Sequence, residues 1–136
     1  MLTTVVGSYP KIPNRPRPAR LRAAIARFER GEIGEDELRR VEDEVTIEVI
    51  QEQVEAGIDI VSDGQIRWED DQTYLARAMG GFTIDGLIRY FDTNTYYRQP
   101  VVTGAVKWRE PITAEDYRFA AAHSPRPVKA LVTGPY

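Results

Sequence analysis

The chain contains no cysteine, so it can form no disulfide framework and cannot assemble a thiolate metal site from its own residues. It has one histidine, His123, placed after the alanine run of "RFAAAHSPRP" where a helix is ending. A partner for the negative end of that helix is a simpler reading of His123 than a catalyst or a ligand. No apolar run reaches membrane length and no signal peptide is recognisable, which makes the cytoplasm the expected location. An excess of positive charge is missing as well. The formal net charge is -3, and the one basic cluster, "KIPNRPRPAR", is short and broken by proline. Binding nucleic acid is therefore not the expected main function, because displacing counterions from phosphates takes concentrated Lys and Arg. The cluster reads either as a solvated loop or as an anion-binding rim. The remaining composition, 136 residues with 42% hydrophobic, suits one globular domain or part of a larger one.

The opening stretch "TTVVGSYPKIP" starts as a buried strand and then breaks into Gly7, Ser8 and proline. Glycine lets a ligand approach backbone N–H groups, serine adds a small donor, and proline stops the strand. The same residues make an ordinary turn, and both readings stand at this point. "PARLRAAIARFERG" places Leu21, Ile25 and Phe28 on one helical stripe, with Pro18 suited to its start and Gly31 to its end. A longer helix follows, with an acidic first turn at Glu35, Asp36 and Glu37. Its apolar face carries Leu38, Val41, Val45 and Val49, and it closes at Gly57.

"IDIVSDGQ" repeats the grammar of the first strand: Ile58 to Ser62 reads as a buried strand, then Asp63, Gly64 and Gln65 break it. Strand, helices, strand is the parallel crossover unit, which puts both breaks on one side of the sheet, where a pocket mouth belongs. "EDDQTYLARAMGG" reads as a short helix, with Asp70 and Asp71 as partners of its start or as paired carboxylates for acid-base work. "FTIDGLIRYFDTNTYYRQP" is an aromatic-rich excursion with a hairpin expected around Asp85 and Gly86. "VVTGAVKW" reads as a third core strand, Thr113 as the N-cap of a helix, and Val128 to Thr133 as a fourth strand breaking at Gly134. Four strands are about half of a closed eight-stranded barrel, which typically needs about 250 residues.

In this order and spacing, "TTVVGSYP", "IDIVSDGQIR", "QPVVTGAVKWREPIT" and "PVKALVTGP" resemble the N-terminal half of the catalytic barrel of cobalamin-independent methionine synthase and its shorter prokaryotic relatives. The resemblance implies an α/β fold, a partial (β/α)8 TIM barrel. Residues 1–136 would form roughly its first half, as a fragment or split chain. It implies a methyltransferase that moves a methyl group to the thiol of homocysteine to form methionine, with homocysteine or methionine as the small-molecule partner. Zinc is the implied cofactor, its His, Cys and Glu ligands lying beyond Tyr136, so that this chain alone is expected to be inactive. The partner expected to complete the barrel is its remainder or a second copy of the chain.

The resemblance also implies site residues. Gly7 and Ser8 would contact the amino acid. The acidic residue that holds the substrate ammonium in the family is replaced here by Gln65. Asp63, two positions earlier, is expected to take over its charge, since side chains two apart on a strand share a face. Where folate-dependent members carry an Arg-Cys pair, this chain has Thr95 and Tyr96. That departure favours a methylated corrinoid protein or another donor over folate. Other readings are a related barrel enzyme acting on another small thiol, a uroporphyrinogen decarboxylase-like protein, and a non-catalytic binding or scaffold module that dimerises through open sheet edges.

Overall fold

The computed structural model describes residues 1–9, 19–92 and 96–134. Most of the basic cluster, Pro18, Thr95 and Pro135 lie outside the described residues. The chain divides into two units: Met1–Ile66 with Asp116–Leu131, and Arg67–Glu115 with Val132–Tyr136.

In the first unit, apolar residues recurring every three or four positions form α1 (Arg20–Glu29) and the 21-residue α2 (Glu35–Glu55). Leu21 and Ala24 of α1 are buried, whereas Phe28, expected on the same stripe, is exposed. α2 is buried on two sides. Val45 and Val49 pack with Leu21 and Ile66, joined by Tyr9, Ile25 and Val41. Ile50 packs instead with Val61 and Ala120, joined by Val54, Ile58 and Val128. Each fully buried Leu, Ile or Val among them contributes about 1.5–3 kcal/mol relative to exposure, so α2 is the post around which the unit is built. Surface ion pairs tie the helices together, Arg20 to Glu44 at 3.2 Å and to Glu48, and Arg27 to Glu37 at 3.2 Å.

Three short extended segments lie in parallel, bridged at Thr4 with Ile60 and at Val61 with Val128, and Val61 and Val128 pack on α2. The Ile60 N–H donates to the Thr3 carbonyl at 3.1 Å, and the Val61 N–H to the Pro127 carbonyl at 3.0 Å. The Lys129 N–H donates to the Val61 carbonyl at 2.9 Å. The segment at Ile60 and Val61 is thus the middle one. A pin closes its lower end. Asp59 Oδ2 accepts the Thr3 N–H and the Thr3 hydroxyl, both at 2.8 Å, while the Thr3 hydroxyl accepts the Asp59 N–H at 3.1 Å. These bonds, the backbone one first, hold the Asp59 carboxyl below the ordinary range, with the charge of Arg126 adding to them.

The second unit contains α3 (Thr73–Ala78), β1 (Gly80–Arg89) and β2 (Tyr96–Lys107). Asp70 serves the start of α3: Oδ1 accepts the N–H groups of Gln72 at 2.9 Å and Thr73 at 2.7 Å, and Oδ2 accepts the Thr73 hydroxyl at 2.6 Å. Trp68 stacks on Tyr74 with ring centroids 5.1 Å apart. β1 and β2 pair antiparallel, which corrects the expectation for "VVTGAVKW". Val101 to Lys107 form an exposed hairpin arm and not a parallel core strand, so Gly104 lies on that arm and not at a strand rim. The physical reason is locality: β1 supplies a partner within the same hairpin, and polar positions such as Thr83 and Thr103, with hydroxyls 3.1 Å apart, keep the pair solvated. Asp85 and Gly86 form a bulge within β1, Gly86 at φ 58, and not the hairpin turn.

α4 (Ala114–His123) follows Thr113 directly, and its Ala120 is buried in the core of the first unit. His123 Nδ1–H donates to the Phe119 carbonyl at 2.8 Å, closing the helix end as its position suggested. No helix among the described residues is long and apolar enough to cross a membrane.

Candidate functional site

The middle parallel segment ends at Ser62, and from there four residues tie the breaks of the first and second segments into one structure. Ser62 is fully buried. Its backbone is taken up by a buried glutamine of α2: the Ser62 N–H donates to Gln53 Oε1 at 2.9 Å, and Gln53 Nε2 donates to the Ser62 carbonyl at 2.9 Å. The second hydrogen of that amide goes to the Val49 carbonyl at 3.1 Å. The Ser62 hydroxyl then bridges the two breaks. It donates to the Gly7 carbonyl at 3.3 Å and accepts the Gly64 N–H at 3.2 Å. Tyr9 adds a backbone bond from its N–H to the Gly64 carbonyl at 2.9 Å, and its hydroxyl donates to Glu52 at 3.0 Å.

The break after Ser62 is a turn, with Gly64 at φ 70 and Gln65 at φ 51. Gly64 is required twice over. Its left-handed backbone disfavours a side chain, and a Cβ there would stand 2.7 Å from Val49 Cγ1 and 3.0 Å from Tyr9 Cβ. Asp63 Oδ1 accepts the Gln65 N–H at 3.1 Å, an Asx turn that steadies the left-handed Gln65. The expectation that Asp63 and Gln65 share a face as strand neighbours fails here, because the chain has left the strand before Asp63. Both side chains are half-buried.

Gly7, buried at φ 152, would place a Cβ 2.5 Å from Leu131 Cδ1, so the first and third segments close on one another at this point. Ser8 is exposed. The Lys129 ammonium donates to the Val5 carbonyl and, at 3.4 Å, to the Val6 carbonyl, just before Gly7. The structure therefore brings Gly7, Ser8, Asp63 and Gln65 to neighbouring breaks. Gln53, Ser62, Tyr9 and Lys129 were missed in the sequence reading. Their signals are faint but present: Gln53 continues the stripe of Val45 and Val49, and Lys129 interrupts an apolar strand, each a polar residue in an apolar pattern.

Zinc finds no fitting ligand set here. Among the described residues no three His, Cys, Asp or Glu side chains converge, and the Nδ1 of the single histidine is bonded within its own helix. What these residues offer is the exposed Ser8 and the half-buried Asp63 carboxylate at neighbouring breaks, chemistry suited to a small polar molecule.

All 136 residues match the family model described as "Cobalamin-independent synthase, Catalytic domain". The chain belongs to that family. It is 33% identical over 135 residues to a methionine synthase of Sulfolobus acidocaldarius and 34% identical to one of Sulfurisphaera tokodaii. In each case the match covers 98% of this chain and 38% of the relative. The chain thus spans well under half the length of these relatives. Among solved structures, a B12-independent methionine synthase from Shewanella sp. W3-18-1, in complex with selenomethionine, superposes with a TM-score of 0.72. It is 24% identical, over 98% of this chain and 38% of that one. At that identity the likeness speaks for the fold.

Proposed function

We propose that this chain is the first part of a (β/α)8 barrel that transfers a methyl group to the thiol of homocysteine, and that it supplies part of the amino-acid site. The observation that carries the reading is the bonded pair of breaks, Gly7–Ser8 and Asp63–Gln65, lying at the ends of adjacent parallel segments in a chain of this family. Ligands bind at such strand ends in barrels and open α/β sheets. Backbone donors at Gly7 and Ser8 receive the substrate carboxylate, and Asp63 receives the ammonium. The selenomethionine bound by the Shewanella protein, a close analogue of the methionine product, supports an amino-acid ligand of this class. The zinc implied by the family draws its ligands from outside this chain, and the remainder of the barrel or a second copy covers the open edges. Thr95 and Tyr96, in place of an Arg-Cys pair, favour a corrinoid protein or another carrier over folate as the methyl donor.

Calorimetric titration of methionine and homocysteine into the full gene product tests the site. Asp63→Asn is a clean probe because its amide oxygen can still accept the Gln65 N–H, so the turn persists while the charge goes. A loss of affinity of about tenfold or more is expected. Unchanged affinity in Asp63→Asn would place the ammonium elsewhere or rule out an amino-acid ligand.

A further inference from the structure

We propose that Lys129 is a positioning residue for the Gly7–Ser8 break, which its ammonium orients and makes receptive to a carboxylate. The inference rests on the amino-acid-site reading above. Lys129 lies on the third parallel segment, one residue beyond the Val128 bridge, yet its ammonium reaches past the middle segment to the carbonyls of Val5 and Val6 on the first. Two residues further on, Leu131 occupies the space that a Cβ on Gly7 would need. Side chains two apart on an extended segment share a face, so Lys129 and Leu131 grip the end of the first segment together.

Two consequences follow from elementary geometry and charge. A trans peptide is planar, with its C=O and N–H pointing in opposite directions. Holding the Val6 carbonyl therefore sets the direction of the Gly7 N–H, which shares its peptide plane, and holding the Val5 carbonyl sets that of Val6. The end of a parallel segment also presents carbonyl oxygens, whose partial negative charge repels an incoming anion. An ammonium bonded to two of them reverses the sign of the local field, and it does so from within the fold without touching the ligand.

The test compares the wild-type full gene product with Lys129→Met, Lys129→Arg and, as a control, Lys107→Met on the exposed hairpin arm. The probes are methionine and methioninol, which differ only in the carboxylate. Lys129→Met is expected to cut the preference for methionine over methioninol about tenfold, with Lys129→Arg retaining part of it and Lys107→Met all of it. Equal weakening of both ligands would make Lys129 merely structural and overturn the proposal. In the same proteins without ligand, the carbonyl-carbon resonances of Val5 and Val6 should shift in Lys129→Met, while those of Ile60 and Val61 stay in place. If wild type binds neither probe, the amino-acid reading fails. The resonances still decide Lys129, and unmoved signals at Val5 and Val6 overturn its role.

Discussion

The side-chain amide of Gln53 stands in for a neighbouring strand at Ser62, taking both the N–H and the carbonyl of that residue at 2.9 Å each. Up to Val61 the middle segment is bonded by its parallel neighbours; at Ser62 helix α2 takes over. The neighbouring segments are then free to turn away, and a break can open without leaving buried peptide groups unpaired. The rim of the candidate site is in this sense made by a helix residue.

Gln53→Leu keeps the apolar stripe of α2 but strands the Ser62 peptide. Each buried group left unpaired costs about 1–3 kcal/mol, so the urea midpoint should fall clearly with little change in the slope. Gln53→Glu should not rescue it, because a carboxylate can accept the Ser62 N–H but would face the carbonyls of Val49 and Ser62. A wild-type midpoint for Gln53→Leu would show that the pair contributes nothing.

Ser62→Ala removes the hydroxyl that joins the two breaks. The expected cost is about 1–3 kcal/mol for the unpaired Gly7 carbonyl and Gly64 N–H, and the local effect matters more. Amide exchange at Gly64 should accelerate beyond what the loss of global stability explains, while exchange at Ile60 and Val61 should follow the global change. Uniform acceleration across these amides would contradict a bridging role.

Gly64→Ala and Gly57→Ala separate two costs. Both glycines are left-handed, at φ 70 and φ 77, and each should lose about 1–2 kcal/mol for that backbone. A Cβ at Gly57 meets nothing within 4 Å, whereas at Gly64 it collides with Val49 and Tyr9, adding about 1–3 kcal/mol of overpacking. Equal destabilisation of the two variants would mean that the turn relaxes away from α2.

The sequence made the helices legible because their apolar spacing agrees with their burial, as at Leu21, Val45 and Val49. The breaks at Gly7 and Gly64 were legible because glycine marks backbone that other residues avoid. Val101 to Lys107 misled because β-branched residues around a glycine read alike in a buried parallel strand and in an exposed hairpin arm. Only the partner distinguishes the two, and pairing is not a local property. Asp63 and Gln65 misled for a related reason: their two-residue spacing implies a shared face only if the strand continues, and it has ended by Ser62, the chain then turning through the left-handed pair Gly64 and Gln65. Lys129 stayed hidden because it acts on residues at the opposite end of the chain, and Gln53 because its partner Ser62, though only nine positions on, is brought back to it by the turn that follows α2.

The pin between Thr3 and Asp59 should give stability a definite pH signature. In the unfolded chain an aspartate titrates at about pH 4. In the fold, the Thr3 N–H and hydroxyl favour the charged form, so the Asp59 value is lower than that. A carboxyl whose folded value is depressed contributes stability above its unfolded value and loses it as the pH falls through the folded one. The midpoint difference between wild type and Asp59→Asn should thus be constant around neutrality and shrink on acidification below about pH 4. Thr3→Val, which keeps the N–H but not the hydroxyl, should remove only part of it. Because the two Thr3 bonds outrank the charge of Arg126 as causes, added salt at neutral pH should leave most of the difference in place. A difference that stays the same from neutrality down into acid would show that the charge of Asp59 has no part in the pin, and a difference abolished by salt would reassign it to Arg126.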